Sequence, residues 1–282
     1  ALPVNLSRSY NRIITILPLK FALIFANLVS IARGAHTKFS LEDGLLVAHD
    51  RISGLIHLSG TPKRGLYFLS VGLKRRGQIL RSQYMIDRLY GTRVKVVIDV
   101  GANSGDFLLA LDDGLEVYLG VEPVHSEFRA LRMNASKKGM LSPVKKVVGA
   151  TSGLVDFYIS EIGGDSSAIL PASGFTEKTK MEMETLDKIV ASTKELASSD
   201  IDLLKIEAEG YEPEVLAGAR HTLSRCKFVV VDGGPERGPD EESTIESCTN
   251  ILQDSGFELS AINLKDRPGV ALFSRKGKAQ LT

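Results

Sequence analysis

The spacing of apolar and polar positions changes near residue 94. From there to the C-terminus, short apolar runs alternate with segments of helical spacing. This alternation predicts strands buried on both faces, joined by helices that cover the sheet, and hence an α/β domain over residues 94–282. The expected strands are Val94–Val100, Glu116–Val121, Val144–Gly149, Leu154–Ile159, Ile201–Ile206, Phe228–Val231, Phe257–Ile262 and Val270–Phe273, and helices are expected at Ser126–Lys138, Pro213–Arg225 and Glu241–Ser255.

A strongly apolar segment, residues 13–31, precedes this domain within an amphipathic helical region, residues 1–38. Pro18, Lys20 and Asn27 interrupt the run and argue against a membrane-spanning helix. Lys20 also interrupts the apolar core that a signal peptide needs. An amphipathic helix that contacts a membrane or a partner, or one that packs on its own domain, remains open. Its apolar face would carry Ile14, Leu17, Phe21, Ile24, Leu28 and Ile31.

Residues 39–93 have a pattern of their own. The pattern predicts a hairpin over Phe39–Leu58, with a turn at Asp43, and a basic helix over residues 74–93. That helix presents a solvated face or, as the sharper alternative, binds a phosphate-bearing substrate.

Composition excludes several classes of protein. With 43% hydrophobic and 24% charged residues, the chain is typical of a packed globular protein and unlike a disordered or polytopic membrane protein. Its formal net charge of +1 argues against a nucleic-acid partner. Cys226 and Cys248 form neither a disulfide framework nor a zinc motif, so two free thiols in a reducing, cytoplasmic compartment are expected.

The segment Asp99–Gly105, D-V-G-A-N-S-G, carries the candidate cofactor chemistry. It closes an apolar strand and opens a helix that is expected to begin at Asp106. Gly101 and Gly105 permit a sharp turn close to a ligand. The loop lacks the middle glycine of a dinucleotide motif and the Lys-Ser/Thr of a P-loop. The spacing therefore favours a smaller zwitterion such as S-adenosylmethionine, with Asp99 near its amino group and Asn103 in the binding loop.

An acidic residue follows the second strand at the distance expected for ribose recognition. Glu122 can accept hydrogen bonds from both ribose hydroxyls, and Pro123 and Ala150 are placed in the same binding set. The alternative for Glu122 alone is a solvated strand end.

Another set of charged residues lies at the end of the strand Ile201–Ile206 and just after it. Alternation places Lys205 and Glu207 on one face, with Glu207 at the carboxyl end. We predict Glu207 as general base or substrate orienter, Glu209 as second candidate, and Lys205 as the partner that keeps Glu207 ionised. A structural ion pair with a helix cap is the alternative. Asp232 could join both glutamates in a Mg²⁺ or Ca²⁺ site, although we predict no metal.

Taken together, these motifs resemble the FkbM family of S-adenosylmethionine-dependent methyltransferases. The resemblance rests on D-V-G-A-N-S-G, V-E-P, F-R-A-L-R-M-N, Met183–Asp187 and Ile201–Ala219, and covers roughly residues 94–275. It departs at Glu207, where the family usually has Asp, and at His125, where Pro is common. The resemblance implies a class I methyltransferase-like, doubly wound, seven-stranded sheet with an N-terminal helical and hairpin extension, and S-adenosylmethionine as cofactor.

The function implied is O-methylation of a hydroxyl on a sugar or natural product, with a small molecule or glycan as acceptor. The alternatives are an N-methyltransferase acting on protein or small-molecule amines, and a non-catalytic binding module tethered to a membrane. The acceptor depends on loops such as Gly163–Lys180, which is Gly/Ser-rich, and on the N-terminal segment.

Overall fold

The computed structural model describes residues 4–89, 93–111, 114–160, 164–172, 174–264 and 269–277, with side chains from Tyr10 onward. The chain begins with helices and a three-stranded antiparallel sheet of order β1-β2-β3. These elements are α1 (Val4–Ile16), α2 (Leu19–Ala32), β1 (Thr37–Glu42), β2 (Leu45–Asp50), β3 (Ile56–Ser59), α3 (Pro62–Leu69) and α4 (Leu73–Gln83), followed by a short 3₁₀ helix at Ile86–Leu89.

The apolar segment forms two helices instead of one, because Pro18 cannot continue the helix that precedes it. Helix α2 packs on the small sheet through Ala22, Ala26 and Ser30. The Asn27 amide joins the β1 backbone, donating to Phe39 O at 2.9 Å and accepting from Phe39 N at 2.8 Å.

Four large side chains of α2 lie on its outer face, whereas Leu23, Phe25 and Val29 are partly buried against the core of this region. Phe21 is 60%, Ile24 57%, Leu28 61% and Ile31 73% exposed. The predicted helical periodicity is correct for α2. The interpretation that the predicted stripe packs on the chain's own domain holds for Ile14 and Leu17. It is wrong for the other four residues, because α2 turns its small residues to the sheet. No helix in the described part of the chain is long and apolar enough to cross a membrane.

The larger part of the chain is built on a mixed sheet of order β13-β14-β10-β9-β4-β5. Its neighbours β5, β4, β9 and β10 are parallel, whereas β14 is antiparallel to both β10 and β13. The elements are β4 (Val96–Val100), β5 (Val117–Val121), α5 (His125–Lys137), β6 (Val147–Val148), β7 (Gly153–Ile159), β8 (Glu177–Glu184), α6 (Leu186–Ser192), β9 (Ile201–Ile206), α7 (Glu212–Ala217), α8 (Arg220–Ser224), β10 (Cys226–Asp232), β11 (Pro235–Arg237), β12 (Glu242–Ser243), α9 (Ile245–Asp254), β13 (Phe257–Asn263) and β14 (Val270–Arg275).

This topology confirms the predicted class of α/β fold, with one difference in the strand count. The described residues give six strands in the main sheet, and the next position holds a single parallel bridge between Val121 and Val144. The chain after Val144 turns away, so that β6 pairs with β8 in a separate three-stranded sheet.

Other differences are local. The predicted helix Pro213–Arg225 is two helices, α7 and α8, with Gly218 between them. The helix expected after Gly105 is a short 3₁₀ turn, Asp106–Leu109. Strand β8 takes up the end of the predicted loop Gly163–Lys180, whose first residue lies outside the described residues.

The small N-terminal sheet is fastened to the main domain along β3. His57 Nε2 lies 2.8 Å from Asp106 Oδ1, and Leu58 exchanges two hydrogen bonds with the Asn134 amide. The next turn continues the contact, since Gly60 N donates to Ser104 Oγ at 3.0 Å. Residues of the N-terminal region thus brace the loop that follows β4, and the division at residues 38/39 and 93/94 stays a prediction.

Candidate functional site

The loop after β4 turns sharply because three of its residues have left-handed backbone. Gly101, Asn103 and Gly105 have φ values of 71°, 48° and 84°. At Gly101 the turn also demands close approach, since a Cβ atom there would lie 1.7 Å from the carbonyl oxygen of Glu207. Only glycine fits, and the loop packs against the turn that follows β9.

Glu122, after β5, holds this loop with its side chain. Its Oε2 accepts from Asn103 N and its Oε1 accepts from Val124 N, both at 2.8 Å. Burial raises the pKa of Glu122 to about 8, although the two backbone donors oppose the shift. Each carboxylate oxygen can accept more than one hydrogen bond, so these contacts are compatible with ribose recognition.

A cleft of about 700 Å³ opens beside this loop, at the carboxyl ends of the parallel strands. Six of the predicted site residues line it: Gly101, Asn103, Glu122, Pro123, Glu207 and Glu209. Val100, Val121, Val148 and Phe157 contribute apolar wall. A buried carboxylate beside an apolar wall fits the ribose and adenine of S-adenosylmethionine.

The other predicted residues do not line this cleft. Ala150 is exposed beyond it, and Gly105 packs towards Leu131 of α5. Asp99 is fully buried, where its carboxylate accepts from Tyr118 OH at 2.7 Å and from Lys205 Nζ at 2.9 Å. We conclude that Asp99 braces the end of β4 from beneath; its expected place near the cofactor amino group has no support in this geometry.

Lys205 lies at the centre of a buried charge network. Its Nζ is 2.9 Å from Asp99 Oδ1 and 3.1 Å from Glu207 Oε2. Burial opposes the charge on Lys205, but the two carboxylates outweigh it and raise the pKa of the lysine above its usual value. The ammonium therefore stays protonated and holds Glu207 in place. The expected contact between Lys205 and Glu207 is present.

Glu207 has a second partner that the sequence does not indicate. Tyr84 OH, just after α4, donates to Glu207 Oε2 at 2.6 Å. Glu209 also lines the cleft, and its backbone oxygen accepts from Ser167 Oγ at 2.8 Å. The turn is capped by Glu212, whose Oε1 accepts from the backbone N–H groups of Ala208 and Gly210. The alternative of a structural cap thus applies to Glu212, and Glu207 faces the cleft.

The remaining candidates lie elsewhere. His125 is exposed at the surface. Asp232 is buried at the end of β10. Within the described ranges, no three or more His, Cys, Asp or Glu side chains are grouped closely enough to hold a metal ion. Both cysteines are buried and free, and burial raises the pKa of each thiol to about 12.

Sequence reasoning missed several residues of the site. Arg64 and Tyr84 come from the N-terminal region, and Phe157 comes from a segment without a recognisable motif. Tyr211 lies within the motif Ile201–Ala219 but was not selected as a site residue. Glu127 is buried below the loop, where it accepts from the hydroxyls of Thr61 and Ser104. The basic pattern of residues 74–93 was the one available signal for the N-terminal contribution.

Fold and cleft together define a Rossmann-like S-adenosylmethionine-dependent methyltransferase domain. The chain belongs to the methyltransferase FkbM domain family, whose model matches residues 99–259, more than half of the chain. The resemblance seen in the motifs is confirmed.

The individual proteins that the chain resembles have low sequence identity to it. The hexuronic acid methyltransferase AglP of Haloferax volcanii is 26% identical over 141 residues, which are 49% of this chain and 55% of that protein. The chain thus spans about half the length of this curated relative. Among solved structures, the methyltransferase FkbM from Methylobacillus flagellatus KT aligns with a TM-score of 0.46 and 13% identity, covering 89% of this chain and 58% of its own. Magnesium protoporphyrin IX methyltransferase from Synechocystis PCC 6803 aligns with a TM-score of 0.41 and 12% identity, covering 92% and 97%.

Proposed function

We propose that this protein transfers a methyl group from S-adenosylmethionine to a hydroxyl of a sugar, with Glu207 as general base. One observation carries the proposal: Glu207 lines the cofactor cleft and also a second pocket on the far side of Gly101 and Asn103. A carboxylate in the wall between two pockets can act on an acceptor in one pocket while the methyl donor lies in the other. The hexuronic acid methyltransferase relative supports a sugar as acceptor.

Different residues of the cleft would bind different parts of the cofactor. Glu122 would accept from the ribose, Val121 and Val148 would cover the adenine, and the Gly101 turn lets the backbone approach closely. When bound, S-adenosylmethionine supplies a methyl group already activated by a sulfonium charge. The protein's share is then to align the acceptor and to exclude water.

Glu207 performs the proton transfer. A hydroxyl is a poor nucleophile until its proton leaves, and a carboxylate within hydrogen-bond reach can accept that proton. Lys205 and Tyr84 both donate to Glu207 Oε2, so they favour its ionised form and fix its orientation. Because the carboxylate is only 17% exposed, bulk water competes weakly with an acceptor hydroxyl.

The test is Glu207→Gln, which keeps the shape and removes the base. We expect kcat for tritium transfer from labelled S-adenosylmethionine to sugar acceptors to fall about 10²–10⁴-fold, with cofactor affinity within about threefold of wild type. Glu116→Gln, at an exposed ion pair with Lys95, is the matched control and should leave kcat unchanged. Undiminished turnover in Glu207→Gln would show that the base assignment is wrong.

The same assay separates the two alternatives. An N-methyltransferase would label amines instead of sugars, and its neutral amine nucleophile would need Glu207 less. A non-catalytic module would bind S-adenosylmethionine in calorimetry and transfer no label to either class. Both outcomes contradict the proposal.

We also propose that α2 contacts an anionic membrane surface through Phe21, Ile24, Leu28 and Ile31. These four side chains form one exposed row along the helix. Residues 1–41 contain five Lys or Arg and no Asp or Glu, which complements anionic lipid. A helix that buries one apolar face at the headgroup boundary, flanked by cations, is the usual form of peripheral attachment.

Co-sedimentation with phosphatidylglycerol–phosphatidylcholine vesicles tests this contact. Replacing Phe21, Ile24 and Leu28 by Ser should abolish sedimentation and change the melting temperature little, because each of these side chains is more than half exposed. Leu154→Ser, at another exposed leucine (67%), should sediment like wild type. Equal sedimentation of the triple variant and wild type would remove the membrane proposal.

A further inference from the structure

A second pocket of about 500 Å³ lies across the wall from the cofactor cleft, between that wall and the helices α3 and α4. We call it the arginine pocket. Its lining includes Arg64, Phe68, Arg76, Gln83, Tyr84 and Glu207. The wall is shared, because Gly101, Asn103 and Glu207 also line the cofactor cleft. The arginine pocket is therefore where an acceptor can meet the base.

Arg76 is a fixed guanidinium in this pocket. Its side chain is 12% exposed, its Nε donates to Asp106 Oδ2 at 3.2 Å, and its Cζ lies 4.4 Å from the centre of the Phe68 ring. Its terminal amino groups make no hydrogen bond with any residue that the structure describes. A guanidinium held at Nε and stacked on a ring is preorganised to bind an anion through its other nitrogens.

Asp106 does not cancel this role, because its charge is shared. Its other oxygen lies 2.8 Å from His57 Nε2. Burial opposes ionisation of Asp106, but His57 and Arg76 together outweigh it and hold the pKa of the carboxyl well below its usual range. Asp106 thus anchors Arg76 from one side.

Arg64 places a second guanidinium at the same ring. Its Cζ lies 5.0 Å from the centre of Phe68, and it lines both pockets. Its ion pair with Asp165 is long, at 3.7 Å, and the carboxylate of Asp165 is 37% exposed. Such a pair is weak and leaves room for exchange with a bound anion.

The other charged groups of the pocket pair with one another. Lys205 lies between Asp99 and Glu207, and Asp106 lies between Arg76 and His57. A carboxylate on the acceptor would give the terminal N–H groups of Arg76 an acceptor that Asp106, which binds only its Nε, does not supply.

We infer that the acceptor carries a carboxylate, which Arg76 and Arg64 bind while an acceptor hydroxyl faces Glu207. This inference rests on the proposed function, in which Glu207 takes the proton of that hydroxyl. A planar carboxylate matches the two parallel N–H donors of a guanidinium, so the arginines act as specificity residues that position a sugar acid. The bond formed joins the acceptor oxygen to the methyl carbon, the bond broken is the one from that carbon to sulfur, and the proton goes to Glu207.

The experiment compares 4-nitrophenyl β-D-glucuronide with 4-nitrophenyl β-D-glucoside, which differ at the carboxylate. Tritium transfer from labelled S-adenosylmethionine gives kcat/KM for each, and calorimetry with S-adenosylhomocysteine present gives binding. We expect at least a tenfold preference for the glucuronide in wild type. Arg76→Gln should remove that preference, mainly through KM, and Arg76→Lys should restore part of it.

Arg75→Gln is the matched control, because Arg75 precedes Arg76 in α4 and its Nη1 donates to Gln78 Oε1 on the exposed surface. It should retain the full preference. Unchanged binding of S-adenosylhomocysteine in Arg76→Gln shows that this variant is folded.

The outcomes separate the inference from the function beneath it. Equal kcat/KM for both glycosides, or an undiminished preference in Arg76→Gln, overturns the carboxylate inference and leaves the methyltransferase proposal standing. Arg76-dependent binding of the glucuronide without transfer supports the inference and overturns the proposed reaction. Absence of both binding and transfer overturns both.

Discussion

The cofactor cleft and the arginine pocket share one wall and differ in how they are built. The cofactor cleft is made by backbone turns at the ends of adjacent parallel strands, with Glu122 and a few valines. The arginine pocket adds to the shared wall long side chains that α3 and α4 bring from the N-terminal region. The cofactor side thus depends mainly on local backbone geometry and the acceptor side on tertiary packing. Substitutions on the two sides should therefore differ in their effects on stability, cofactor affinity and kcat.

Gly101→Ala should have the largest effect, because Gly101 is in the wall itself. The added Cβ would lie 1.7 Å from Glu207 O at a φ of 71°, so the loop must move. We expect a loss of about 4 kcal/mol or more in unfolding free energy and no measurable cofactor binding. Gly139→Ala is the control, with φ 69° and no atom within 4 Å, and should lose only about 1–2 kcal/mol. Similar losses at both positions would contradict the close-approach argument.

Lys205→Met tests the charge network beneath the wall. Removing the ammonium leaves Asp99 buried without its cation, which should cost about 3–5 kcal/mol in urea unfolding. Lys95→Met breaks a surface pair with Glu116, in which the side chains are 41% and 56% exposed, and should cost less than about 1 kcal/mol. If the two variants are equally stable, the buried network does not brace the site.

Glu122→Gln tests the cofactor side through the pH dependence of the unfolding free energy. Burial raises the pKa of Glu122 to about 8 in the folded protein, from 4.5. The folded protein keeps a proton that the unfolded chain releases, so the stability contributed by this group is present below pH 4.5 and is lost as the pH rises towards 8. The difference in unfolding free energy between the variant and wild type should therefore shift in the variant's favour by about 2–4 kcal/mol from pH 5 to pH 8.

Urea unfolding of both proteins across that range measures this gain. A constant offset between the two curves is expected as well, because one backbone N–H loses its acceptor. An offset with no pH dependence would show that Glu122 ionises normally.

Tyr84→Phe should have the smallest effect, confined to the acceptor side. It removes the hydrogen bond to Glu207 Oε2 and should lower kcat about tenfold, with cofactor affinity within about twofold. Tyr67→Phe, at a ring that is 40% exposed, should behave as wild type. A loss of cofactor affinity in Tyr84→Phe, measured by calorimetry, would contradict the assignment of Tyr84 to the acceptor side.

Most of the main sheet could be predicted from the sequence, because buried strands such as Phe228–Val231 appear as uninterrupted apolar runs. The small sheet containing β6 and β8 was harder to predict. Strand β8, Glu177–Glu184, alternates charged residues with Met and Thr and lies in a segment that reads as a loop. Helix α2 shows a different limit, since its periodicity was visible and the face it buries was not.

The sequence by itself determined the residues of the proposed cofactor side: the loop Asp99–Gly105, Glu122 one strand later, and Glu207 at the end of β9. These positions are set by where strands end, and strand ends are readable from local pattern. Only the tertiary structure decided that Asp99 lies beneath the cleft, that Tyr84 holds Glu207, and that Arg64 and Arg76 flank one phenyl ring. Those contacts join side chains far apart in the chain, and their geometry follows from how helices pack, which no local spacing encodes.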